Sequence, residues 1–194
     1  MKMKTAINAI NDSISLDRAC HALKKGQIIA YPTEAVFGLG CDAYHHEAVK
    51  KIYELKGRAA NKGVIIISHD FEMLRPFILL DTLDSNQLHQ ITSTWPGPHT
   101  WVFKATDYAK HLIGKADSVA VRVTNHPVAQ ALCTQWGRPL VSTSANKANC
   151  SPARTKQEVV DYFGSSIMIV EGEVGHLERP TPIQDAYSLH YYRK

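Results

Sequence analysis

The chain has 194 residues, of which 44% are apolar and 21% charged, with a formal net charge of +4. That balance fits one globular domain with a substantial core, and so modest a charge does not by itself make a nucleic-acid binder. No apolar run approaches the roughly 20 residues that span a bilayer, and no apolar stretch follows the N-terminal lysines as in a signal peptide, so no membrane association is expected.

The first helix is read from Leu16, Ala19, Cys20 and Leu23, which recur at i, i+3, i+4 and i+7. Asp12 or Ser13 is its expected cap and Gly26 its stop. Residues 28–31 read as an apolar strand that Pro32 breaks into a polar turn carrying Thr33 and Glu34. Gly38 and Gly40 read as turn and close-packing glycines on the way to a helix over 46–55, whose Val49, Ile52 and Tyr53 share a face. Gly57 ends that helix between Lys56 and Arg58. Residues two apart diverge on a helix, but a glycine between them lets both cations turn towards one anionic ligand.

Residues 64–68 form a β-branched run, expected as a strand buried on both faces. A short helix is expected over 71–74, stopped by Pro76, and a longer one over 85–93, leading to a turn at Trp95-Pro96-Gly97-Pro98. Strands follow over 100–103 and 118–123. Pro127 opens a helix that ends near Trp136. Residues 139–144 form a strand that turns polar at its end, and Thr155 with Glu158 has capping-box spacing for a helix to Gly164. Strands over 167–170 and 187–192 complete the chain. Strands and helices are interspersed without repeat or linker, which predicts one α/β domain over 1–194 with a mixed sheet.

Several familiar chemistries find no support. Gly114-Lys115-Ala116 lacks the upstream glycine and the hydroxyl of a phosphate loop. Gly38-x-Gly40-x-x-Ala43 has the letters of a dinucleotide fingerprint, but Pro32 parts it from the strand and no acid follows at the ribose-binding distance. His46-Glu47-Ala48-Val49-Lys50 ends in lysine where a zinc helix needs histidine, so no metal held by protein alone is expected. No nucleophile elbow occurs. The four cysteines form no close pair and read as reduced thiols.

Two features point to a ligand. Ser142, Ser144 and Asn146 line one face if the strand stays extended, a polar cluster at a strand end where α/β proteins commonly bind ligands. The alternative is that they cap the loop that follows. Arg122 lies within an apolar strand and needs either a structural acid or an anionic ligand, and spacing does not choose between them. Lys50, Lys51, Lys56, Arg58 and Lys62 face a single acid, Glu54, compatible with a phosphate-bearing ligand, an RNA surface or a solvated helix face.

Five segments in order resemble the YrdC family, most closely its single-domain bacterial members, the TsaC-type threonylcarbamoyl-AMP synthases. They are the run from Tyr31 to Gly40, Lys56-Gly57-Arg58, Trp95-Pro96-Gly97-Pro98, Ser118 to Val123, and Ser142-Thr143-Ser144-Ala145-Asn146. The resemblance implies a YrdC-like open twisted mixed sheet flanked by helices, with a deep concave site. It implies a nucleotidyltransferase that condenses L-threonine, bicarbonate and ATP, with Mg²⁺, into threonylcarbamoyl-AMP and pyrophosphate, for the t6A modification of tRNA by downstream threonylcarbamoyl-transfer enzymes in the cytoplasm.

By that resemblance Lys56 and Arg58 are catalytic. Thr33, Arg122, Ser142 and Thr181 would contact threonine. Lys56, Arg58, Ser118, Ser144, Asn146 and Arg193 would contact ATP. Two other readings remain open: a non-catalytic module of the same fold that binds structured RNA or tRNA, and the carbamoyl-adenylate chemistry of hydrogenase maturation, whose YrdC-like domains sit within much larger chains.

Overall fold

The structure, a computed structural model, describes residues 2–57, 64–114 and 116–194, with residues 2–11 as backbone alone. Helix α1 spans Lys2–Lys24 and ends at Gly26, whose φ is +64°. It begins well before Asp12 and Ser13, which therefore lie inside the helix and do not cap it; no glycine or proline interrupts the segment. Strand β1 (Ile29–Pro32) turns back into strand β2 (Phe37–Asp42) as an antiparallel pair with Ile29 opposite Gly40 and Pro32 opposite Phe37. Gly38 and Gly40 thus belong to a strand, correcting the turn expected there. Their role is close packing: a Cβ on Gly40 would stand 2.5 Å from the Val141 carbonyl oxygen and 2.6 Å from the Tyr31 ring.

Helix α2 (His46–Leu55) has the expected bounds, and His45 caps it by accepting the Ala48 amide at Nδ1, 3.2 Å. Strand β3 (Ile65–Ser68) follows. The helix expected over 71–74 is instead a series of turns leading into a short 3₁₀ segment, Arg75–Phe77. Pro76 sits in its first turn, where a missing amide costs nothing. Helix α3 (Ser85–Thr92) opens with a reciprocal Asp84–Gln87 capping box, and strand β4 (Thr100–Lys104) comes next. A short helix α4 (Lys110–Ile113) was not anticipated from the pattern.

Strand β5 (Ser118–Val123), helix α5 (Pro127–Trp136) and strand β6 (Leu140–Ser144) fall where the pattern put them. Helix α6 (Lys156–Phe163) carries the Thr155–Glu158 capping box, worth about 1 kcal/mol. Strand β7 is Met168–Ile169. The single last strand expected over 187–192 is two strands, β8 (Ile183–Asp185) and β9 (Tyr191–Arg193). Asp185 Oδ1 accepts the amides of Tyr187 and Ser188 at 3.0 and 2.8 Å, and Leu189 takes φ +59°, which folds the chain back between them.

The described strands form one mixed sheet in the order β7-β1-β2-β6-β3-β5-β4-β8-β9. β1/β7, β3/β5 and β4/β8 pair parallel, and the other pairs are antiparallel. Strand alternation divides its side chains between two faces. One carries Ile66, Trp101, Val119, Val121 and Val141, packed in a core with Ile52 of α2, Ile91 of α3 and Leu112 of α4. The opposite face carries Tyr31, Ile67 and Leu140 at one end, packed with Leu23 of α1 and Leu132 of α5. Farther along that same face, small and polar residues line a cavity instead.

Candidate active site

The cavity has a volume of about 490 Å³ and its floor is the sheet itself. Ser142 and Ser144 of β6, Ser118 and Arg122 of β5 and Arg193 of β9 reach it from three strands, with Thr33 and Thr181 supplied by loops. The lining is rich in hydroxyls and holds two guanidinium groups, with no carboxylate among its described residues. Such a pocket attracts anions. Apolar Val102, Ala116, Ala120 and Ile183, with Tyr192 beside them, provide a second kind of surface in the same cavity.

Arg122 is 4% exposed and has the structural acid that its apolar strand required: Nη2 lies 3.1 Å from Glu34 Oε2. It also lines the cavity, so the ion pair does not withdraw it from that space. Nη1 donates to Thr181 Oγ1 at 2.8 Å, while Nε has no hydrogen-bond partner. Arg193 grips the same residue from its other side, donating from Nε and Nη2 to the Thr181 carbonyl at 2.9 and 2.7 Å. Burial first, and then the nearby charge of Arg122, pulls the Arg193 pKa below its usual value. No acid stands within ion-pair distance of Arg193 among the described residues. Thr33 is held by donating its hydroxyl to the Val36 carbonyl at 2.7 Å.

At the end of β6 the extended geometry stops at Ser144. The Asn146 amide turns back to the Ser144 carbonyl at 3.0 Å, so Asn146 does not continue the face of Ser142 and Ser144 as expected. Its side chain bridges instead. Oδ1 accepts from Ser144 Oγ at 2.7 Å and from Lys56 Nζ at 3.0 Å, while Nδ2 donates to the Cys150 carbonyl at 2.7 Å. Asn146 thus contacts the β6 end and closes the following loop at once.

Lys56, 5% exposed, also donates to the carbonyls of Ser144 and Asn146, the latter at 3.0 Å. It stands against the strand end beside the cavity. Gly57 takes φ +58°, the freedom expected of it, and Arg58 lies outside the described residues.

Behind Arg122 lies a polar layer that no local spacing in the sequence marks. Glu34 Oε1 accepts from Thr124 Oγ1 at 2.7 Å, and the His126 amide donates to that same hydroxyl oxygen at 3.2 Å. His126 Nε2 reaches the Glu173 carbonyl at 3.1 Å, and burial, the largest influence, holds its pKa below the usual histidine value. The signal available was a glutamate in a loop that has to accompany a strand arginine. Tyr192, which no motif marks, also lines the cavity, and its hydroxyl meets Asp185 Oδ2 at 3.1 Å.

Comparison with known proteins places this geometry. The family model Sua5_yciO_yrdC, described as Telomere recombination, matches residues 21–192. The chain is 45% identical over 174 residues to a threonylcarbamoyl-AMP synthase of Vibrio vulnificus, covering 89% of this chain and 94% of that one. It is 44% identical to the threonylcarbamoyl-AMP synthase of Klebsiella pneumoniae, covering 95% of this chain and 100% of the other. Among solved structures, P. abyssi Sua5 complexed with L-threonine superposes with a TM-score of 0.80 at 29% identity, over 88% of this chain. This chain spans about half of that protein's length, 50%. The E. coli YciO structure shares the fold, with a TM-score of 0.79 at 23% identity over 92% of this chain and 88% of that one. The chain belongs to the Sua5/YciO/YrdC family.

Proposed function

We propose that this single YrdC-like domain is an L-threonylcarbamoyladenylate synthase, a nucleotidyltransferase that condenses L-threonine, bicarbonate and ATP into threonylcarbamoyl-AMP and pyrophosphate. The observation that carries the reading is the cavity lined by Arg122 and Arg193, with no carboxylate among its described residues, in a chain 45% identical to a synthase of that name. A substrate pair, one bearing a carboxylate and the other a triphosphate, suits two separate guanidiniums. Its product would serve t6A formation on tRNA in the cytoplasm. Among the described residues, no helix is long and apolar enough to cross a membrane.

In this reading Arg122 receives the threonine carboxylate, with Thr33, Ser142 and Thr181 around it. The threonine amine adds to the carbon of bicarbonate and water leaves, giving a carbamate. A carbamate oxygen then attacks the α-phosphorus of ATP, and the bond to pyrophosphate breaks. Positioning carries most of this chemistry, since no step needs a covalent nucleophile from the protein. Ser118, Ser144, Asn146 and Arg193 would orient the nucleotide. Negative charge grows on the phosphates as pyrophosphate departs, and Lys56, at the end of β6, with Arg58 would stabilise it.

Mg²⁺ would accompany ATP and neutralise phosphate charge. The described lining offers hydroxyls and no carboxylate, which fits a hard cation held chiefly through the nucleotide's own oxygens. Pyrophosphate release from ATP, measured with bicarbonate in the presence and absence of L-threonine, tests the reading. Threonine-dependent release is expected, and release indifferent to threonine contradicts it.

A further inference from the structure

We propose that Glu34 and Thr124 are positioning residues for the amino-acid substrate, acting through Arg122 and without touching substrate themselves. The inference rests on the synthase reading and deepens it.

Glu34 is 5% exposed and is absent from the cavity lining, so its carboxylate is not offered to a ligand. Its two oxygens are held differently: Oε1 accepts from Thr124 Oγ1 at 2.7 Å, while Oε2 forms an ion pair with Arg122 Nη2 at 3.1 Å and has no hydrogen-bond partner among the described residues. Thr124 has no exposure at all, and its direction of donation is determined. Its hydroxyl oxygen accepts the His126 amide at 3.2 Å, and its proton goes to Glu34 because a carboxylate oxygen accepts and does not donate. Its own amide donates to the Ser68 carbonyl at 3.1 Å, anchoring it to the end of β3.

The backbone of Glu34 is held as firmly. Its carbonyl accepts the Leu177 amide at 3.2 Å, and the Thr33 carbonyl accepts the Gly175 amide at 2.8 Å. Gly175 passes so close that a Cβ there would lie 2.5 Å from the Glu34 carbonyl oxygen. Glu34 thereby joins two residues of the cavity, as the peptide neighbour of Thr33 and the ion-pair partner of Arg122. With Nη1 held by Thr181 and Nη2 by Glu34, the guanidinium is fixed from two sides. A planar fork recognises a carboxylate only in a narrow geometry, so a fixed fork loses less freedom on binding. A hydroxyl one layer away from the site therefore governs affinity for the amino acid and has no part in holding the nucleotide.

The test compares Thr124→Val, Thr124→Ser and Glu34→Asp in the full chain. L-threonine and Mg·ATP binding are each measured by titration calorimetry, with thermal unfolding alongside. Loss of one hydrogen bond behind Arg122 is expected to weaken L-threonine binding in Thr124→Val by about fivefold to tenfold. Mg·ATP affinity should stay at the wild-type value, and Thr124→Ser, which keeps the hydroxyl, should restore threonine binding. Glu34→Asp keeps the charge, withdraws the carboxylate by one methylene, and should reproduce the selective loss if the valine variant does not fold.

Equal weakening of both ligands, unchanged threonine affinity, or no restoration by serine overturns the inference while wild-type threonine binding preserves the synthase reading. A folded wild type that binds no L-threonine overturns both.

Discussion

Lys56 and Asn146 are joined at the end of the sheet by two contacts: the lysine ammonium donates to the asparagine carbonyl and to its side-chain oxygen, each at 3.0 Å. A further bond reaches the Ser144 carbonyl. A buried ammonium with several acceptors places a positive charge at the strand end and fixes the turn that carries Asn146. Charge and scaffold are thus combined in one side chain.

Lys56→Ala removes both. Pyrophosphate release is expected to fall by at least about 100-fold, from the lost stabilisation of departing charge. The carbonyls left without their donor should lower unfolding free energy by about 1–3 kcal/mol, leaving a folded protein. Steady-state kinetics beside chemical denaturation checks both effects, and wild-type turnover in the variant would remove Lys56 from the reaction.

Arg193 offers a test of charge against geometry. It holds the Thr181 carbonyl with two N–H groups and lines the cavity. Arg193→Ala is expected to raise the KM for ATP about tenfold, and Arg193→Lys, which keeps the charge and loses the fork, to recover part of it. Equal KM values for ATP in wild type and the alanine variant would exclude this residue from the nucleotide site.

How far such roles could be read along the chain depends on whether local or tertiary contacts decide them. α2 and α5 were legible because apolar spacing, Gly57, Pro127 and Gly137 are local signals, and the structure returns their bounds directly. Arg122 declared itself by standing within an apolar strand, but its acid did not: sheet and loop packing bring Glu34 to it across the fold. Asn146 was assigned to the face of Ser144 by strand alternation, which ceases where its amide turns back on Ser144. The β8–β9 division carries no apolar-spacing signal because Asp185 sets that turn through its side chain. Motif resemblance, by contrast, singles out Thr33, Arg122 and Ser142, similarity along the C-terminal stretch adds Thr181, and all four line one cavity.

Gly40 should tolerate no side chain. Even one methyl would meet the Val141 carbonyl at 2.5 Å and the Tyr31 ring at 2.6 Å. Tyr31 is fully buried, with its hydroxyl on that same carbonyl at 3.3 Å, so it has little room to withdraw. Gly40→Ala is expected to cost about 1–3 kcal/mol or more of stability by overpacking, measured by urea denaturation. An unchanged midpoint would show that β2 and β6 can separate at this point.

Acid should weaken the fold through three histidines. Burial is the largest influence on His99, His111 and His126, and lowers each pKa from its ordinary 6.5. The unfolded chain then takes up protons more readily than the folded one as pH falls below that value. Since stability rises with pH wherever the unfolded state binds more protons, the stability present above about pH 6.5 should decline through the lower folded pKa values. Denaturation midpoints followed from pH 7.5 to 5, in buffers matched for salt, check the sign. Replacing His126 by a residue that does not titrate should flatten part of the slope, and an undiminished slope would assign it to other groups.

A single cavity that joins threonine, bicarbonate and ATP must put all three into one product. The most direct measurement incubates the full chain with Mg·ATP, L-threonine and ¹³C-bicarbonate and follows the nucleotide products by mass spectrometry. A threonylcarbamoyl-AMP species that carries the ¹³C label should appear in step with pyrophosphate and be lost when threonine is omitted. AMP and pyrophosphate formed without any labelled threonine adduct, or no turnover by folded protein across a range of salt, would contradict the synthase reading.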